Sequence, residues 1–157
     1  MTFLNTLKLN LENEKKRMLS DAFMKKQEGI IVNYIVTCSK DSAIGISKKA
    51  IDILLIINEN TFPEWPNVDR WLSILPKYFT DSFSKSKILH SEDWLFEEWL
   101  YWFEPENRFW FLGELDPVDN EHLKISIVVQ EHPFPVESLE VLLMKLGTSE
   151  LHEIGME

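Results

Sequence analysis

Apolar and polar positions follow two periods along this chain, and each period predicts an element. Residues 12–27, opening Glu12-Asn13-Glu14-Lys15-Lys16-Arg17, are good helix material and end before Gly29. The residues before them read two ways. Thr6-Leu7-Lys8-Leu9-Asn10-Leu11 alternates like a strand, whereas Leu4, Leu7, Leu11, Met18 and Ala22 make one helical face. Residues 30–37 are a β-branched run after a glycine and predict a strand. Ser47 is a candidate N-cap for a helix over 47–59, with Ile46 and Ile51 as a hydrophobic staple. Between Ala50 and Ile57 only Asp52 is polar, so that helix is expected to be buried on most sides. Asn67 caps a predicted helix over 68–75, which Pro76 interrupts.

The second half is patterned as clearly. Ser91, followed by Glu92 and Asp93, opens a predicted helix over 91–103, because acids suit the positive end of a helix. Its inward stripe is expected to be Leu95, Trp99, Trp102 and Phe103, with Glu97, Glu98, Tyr101 and Glu104 more outward. Residues 108–115 and 123–130 alternate as strands, and the turn-rich stretch between them predicts an antiparallel hairpin. In the first strand Phe109, Phe111 and Leu115 are expected to share a face. Pro133 and Pro135 precede a helix over 135–146 with Val136, Leu139, Leu142, Leu143 and Leu146 as its stripe, closed by Gly147. Residues 148–157 carry no clear pattern and are expected to fray. The fold class is therefore α+β: one domain of helices packed with a small antiparallel sheet, including a C-terminal hairpin followed by a helix.

Composition narrows the picture. A chain of 157 residues buries enough surface to need no disulfide or metal staple. The single cysteine, Cys38, follows the β-branched run and reads as a small buried residue. The longest purely apolar run, Ile53-Leu54-Leu55-Ile56-Ile57, falls far short of the ~20 residues of a membrane span. The N-terminus lacks the pattern of a secretion signal, so a cytoplasmic location is expected.

Charge changes the picture most. Residues 1–87 hold 13 Lys/Arg and 10 Asp/Glu, whereas residues 88–157 hold 3 Lys/Arg and 16 Asp/Glu. The second part therefore carries −13, more than the whole net charge of −10, and the first part carries +3. From 92 to 121 there are ten acids and one base, Arg108. Such a field repels nucleic acids and anionic membranes and attracts a basic protein.

Motif chemistry is sparse. His90, His122, His132 and His152 lack the spacing of a zinc site, and no cofactor is implied. Gly45-Ile46-Ser47-Lys48 lacks the first glycine of a phosphate loop. Asp116, Asp119 and Glu121 miss the spacing of a calcium loop. No serine has a recognisable base partner. Nine aromatic residues between Trp94 and Phe111, interleaved with acids, are the unusual feature. One helix cannot bury aromatics at 94, 96, 99, 101, 102 and 103 on a single stripe, so some are expected at the surface.

Aromatic anchors beside acids are what a surface for a basic protein uses. The expectation is an acidic module that inhibits or sequesters a basic protein, with Glu97, Glu98, Trp102, Glu104 and Glu106 as contacts. Size and acidity are shared with immunity proteins that block bacterial nuclease toxins, although no family motif is matched. One alternative is a small-ligand binder or enzyme with a pocket between the aromatic helix and the hairpin. Arg108 is then an anion contact, unless it pairs with Glu106 or another nearby acid. A second alternative is a homo-oligomeric structural domain.

Overall fold

A computed structural model describes residues 2–19, 29–83, 94–131 and 133–156. Among these, six α-helices and a four-stranded antiparallel sheet make an α+β fold. The helices are α1 (Phe3–Met18), α2 (Ala43–Asn60), α3 (Val68–Ile74), α4 (Lys77–Thr80), α5 (Phe96–Tyr101) and α6 (Glu137–Leu146). The strands are β1 (Ile30–Thr37), β2 (Trp110–Pro117), β3 (His122–Val129) and β4 (His152–Met156), in spatial order β2-β3-β1-β4.

Tertiary packing decides the ambiguous opening in favour of a helix. Leu7 and Leu11 bury one stripe of α1 against Phe111, while Leu9, the third leucine of the apparent alternation, stays exposed. Thr2 caps the helix by accepting the Asn5 N–H. The sequence-predicted end at 27 lies outside the described residues. In α2 the cap is Ser42 rather than Ser47, since the Ser42 hydroxyl accepts the Gly45 N–H at 3.1 Å. Ser47 is instead buried inside the helix and donates to the Ile44 carbonyl. Ile46, Ala50, Ile53, Leu54 and Ile57 then face the core at helical spacing. Asn67 caps α3 as expected from the sequence, and Pro76 separates it from the short α4.

The main core lies between one face of the sheet and the helices. Val32, Tyr34 and Val36 of β1 and Leu123, Ile125, Ile127 and Val129 of β3 supply the sheet side. Register shifts between Leu112 and Glu114 in β2, so a bulge sits at Gly113. Because side chains alternate with period two, one extra residue exchanges the faces beyond it. Phe111 therefore packs on α1 and Leu115 against the main core, not on a shared face.

Two further expectations are corrected. Residues 152–156 do not fray: they form β4 along the free edge of β1, pairing Val32 with Met156 and Tyr34 with Glu153. The aromatic helix is shorter than 91–103. Its described part runs from 96 to 101, and Ser91, its expected cap, lies outside the described residues. Glu98 reaches back and accepts the Leu95 N–H at 2.8 Å, which fixes the observed start. Gly147 ends α6 at a φ of 115°, where a Cβ would meet the Lys40 Cβ at 2.6 Å.

Candidate functional site

Two stripes interleave along the segment from Trp94 to Phe103. Phe96, Trp99, Leu100 and Phe103 are buried. Trp99 stacks among Phe79, Phe96 and Phe103, and its indole N–H donates to the Ser138 carbonyl at 2.9 Å. The Trp110 indole donates to the Ser138 hydroxyl at the same distance, so one residue of α6 satisfies both indoles. The opposite stripe is Trp94, Glu97, Glu98, Tyr101 and Trp102, spaced i, i+3, i+4, i+7, i+8. These five residues line a shallow groove of about 470 Å³. Tyr101 and Glu97 are exposed, and Trp94, Glu98 and Trp102 are half-buried. The Tyr101 and Trp102 rings meet edge to face at 5.2 Å and 85°, which makes a corner of the groove.

The sequence-predicted contact residues thus separate. Glu97, Glu98 and Trp102 come together in the groove, and Trp102 is there because it caps the C-terminal end of α5 instead of joining the inward stripe. Trp94 and Tyr101 belong with them, and the spacing from 94 to 102 was the signal for it. Glu104 precedes the 3₁₀ turn Pro105–Asn107 and Glu106 lies within it, and neither lines this groove.

Glu106 instead lines a second cleft of about 330 Å³, walled by Phe3, Leu7, Phe109, Phe111 and Phe134 and also touched by Arg108. That cleft opens between α1, the start of β2 and residues 130–135, not between the aromatic helix and the hairpin. Arg108 pairs with Glu14, 94 residues away in sequence, rather than with Glu106. Its side chain is 1% exposed and that of Glu14 is 0% exposed.

Around this buried pair, side chains of α1 complete the edge of the sheet. Glu14 Oε2 accepts from Arg108 Nη2 at 2.5 Å and from the Leu112 N–H at 2.7 Å. Arg17 Nε donates to the Leu112 carbonyl at 2.7 Å, and Arg108 Nε donates to the Trp110 carbonyl at 2.8 Å. The outward backbone groups of Leu112 are therefore met by a carboxylate and a guanidinium where a further strand would otherwise pair. Asn58 of α2 donates to Glu14 Oε1 as well, at 2.9 Å. The Arg108 guanidinium carbon lies 5.2 Å from the Phe103 ring, 5.1 Å from Trp110 and 5.0 Å from Phe111. Burial lowers the Arg108 pKa, and the Glu14 charge opposes that shift. Its Nη1 has no hydrogen-bond partner among the described residues.

Other candidates carry less chemistry. Cys38 is buried, and burial pushes its thiol pKa up, with Asp119 and Asp41 adding to the effect, which disfavours a thiolate nucleophile. His122 sits 2.9 Å from Asp119 at the surface. Among the described residues no group of three or more His, Cys, Asp or Glu is placed to hold a metal ion. Among them, too, no helix is long and apolar enough to cross a membrane. No family model, curated protein or solved structure matches the chain. The functional reading therefore rests on the two aromatic–carboxylate sites themselves.

Proposed function

We propose that this protein is an acidic binding module that inhibits or sequesters a basic protein, in the manner of an immunity-type antagonist of a bacterial toxin. The observation that carries the reading is the groove in which Trp94, Tyr101 and Trp102 stand beside Glu97 and Glu98. Interface hot spots combine aromatic anchors, which supply contact area, with charges that set orientation. The surrounding acidic half steers a cationic partner inward, an effect worth ~10–1000-fold in association rate. Glu104 and Glu106 extend the negative field beyond the groove.

Cytochrome c, a small basic protein, serves as the probe. Its affinity is expected to fall steeply between about 0.01 and 0.1 M salt, as the screening length drops from ~30 to ~10 Å. Replacing Glu97, Glu98, Glu104 and Glu106 together by Gln should weaken low-salt binding by about tenfold or more, which corresponds to ~1.4 kcal/mol. An affinity indifferent both to salt and to the four neutral replacements overturns the reading.

A further inference from the structure

We infer that the outer edge of β4 takes an extended basic segment of the partner as a fifth strand of the sheet. This deepens the basic-protein reading and rests on it. The two ends of the sheet are finished differently. At β2 the side chains of Glu14 and Arg17 meet the outward N–H and carbonyl of Leu112, so a strand adding there would have to displace them. At the other end, β4 pairs with β1 alone among the described residues. Glu153, Ile154 and Gly155 are exposed, Ile154 by 51%, and a Cβ at Gly155 would meet nothing within 4 Å. An edge strand presents a row of backbone donors and acceptors, and what satisfies such a row is another extended backbone.

Charge selects which backbone. From 137 to 157 the sequence holds five glutamates and one lysine. Glu153 lies on β4 itself, and Glu140 accepts the Leu151 N–H at 2.9 Å where the chain enters the strand. Burial raises the Tyr34 pKa first, and Glu153, Glu137 and Glu140 add to it, so their negative fields overlap beside β1. Lys145, the one base of the segment, donates to the Ser82 carbonyl at 2.9 Å. Lys40 adds a second base beside Glu137, Glu140 and Glu150 and leaves this corner negative. β4 is short and bulged at Ile154, features that guard an edge against indiscriminate pairing and leave charge to decide the partner. A second copy of the chain would bring the same acidic corner and a net charge of −10. An extended segment bearing Lys or Arg meets Glu153 with the opposite sign, which stabilises a strand pair.

A peptide of about nine residues alternating Lys and Val, long enough to run along β4, tests this on the full-length protein. Amide shifts and slowed hydrogen exchange are expected at residues 153–155. A copy with methylated backbone amides keeps the charges and loses the donors, and is expected to bind about tenfold more weakly. A copy with Glu in place of Lys should not bind. Glu153 is exposed, so Glu153→Lys leaves the core intact, and it should narrow or reverse the preference for the Lys peptide over the Glu peptide. Equal binding of the methylated and unmethylated peptides would overturn strand addition and leave the basic-protein reading standing. So would shifts confined to residues 94–102, or a dimer of the protein alone, seen in solution mass, with its β4 amides protected. Failure of every peptide while cytochrome c still binds would overturn this inference by itself. Failure of the peptides and of cytochrome c would remove both proposals together.

Discussion

The same ingredients, aromatic rings and glutamates, occur in two regions of this protein with opposite outcomes. Behind β2 they enclose Arg108, where Glu14 accepts from Arg108 and from the Leu112 N–H and Arg17 donates to the Leu112 carbonyl. On the outer stripe of α5 they line an open groove with no cation of its own among the described residues. The interior site uses a charge pair to finish the fold, at a desolvation cost that each partner offsets for the other. Identical residue types therefore finish the fold in one place and, on the function proposed above, offer a binding surface in the other.

The sharpest way to break the contrast is to remove the interior anion. Glu14→Ala leaves a buried guanidinium unpaired and the Leu112 N–H without its acceptor. A loss of about 3–5 kcal/mol in urea unfolding is expected. A loss under about 1 kcal/mol would show that the pair is not what closes this edge.

Two tryptophans then compare the regions directly. Trp110 is 1% exposed and hydrogen-bonded to Ser138, so Trp110→Ala is expected to cost about 3–5 kcal/mol. Trp102 is half-buried in the groove, and Trp102→Ala should cost clearly less, on the order of 1 kcal/mol, while weakening cytochrome c binding. Equal losses in thermal and urea unfolding would place Trp102 in the core and remove the distinction.

The smallest effect concerns a buried ring with carboxylates near it. Tyr34 has its pKa pushed up to about 12, first by burial and then by Glu153, Glu137 and Glu140. The folded state thus retains the phenol proton longer than the unfolded state, whose tyrosine titrates near 10. The stability Tyr34 contributes is complete below pH 10 and is lost as pH rises toward 12. Ultraviolet titration of the tyrosinates should show one late phenol, and Glu153→Gln should move it toward 10. A phenol that ionises at the ordinary value in both proteins would refute the assignment.

Much of the fold was legible because its signals are local. Asn67 and Gly147 cap where their chemistry allows, and the alternation of residues 123–129 marks β3 directly. β4 was not legible: Glu153 and Gly155 interrupt any apolar pattern, and the strand exists because β1 offers it an edge. The partner of Arg108 was hidden for the same reason, since Glu14 looks like an ordinary surface acid of a charged helix until that helix meets β2. At the candidate site, the acids and aromatics were visible but their grouping was not. The helical pattern puts Trp102 on the inward stripe, and the groove becomes apparent only when Trp94 and Tyr101 are counted with it.

The position of β1 in the sheet has a consequence for biosynthesis. Its neighbours are residues 122–129 on one side and 152–156 on the other. A ribosome must release residues as far as Met156 before this strand is paired on both edges. Pairings so distant in sequence close late and slow folding. Throughout that interval Ile30-Ile31-Val32-Asn33-Tyr34-Ile35-Val36-Thr37, uncharged and rich in β-branched residues, is the segment most open to association with other nascent chains. β4 is thus the strand that withdraws the second edge of this adhesive segment from its surroundings.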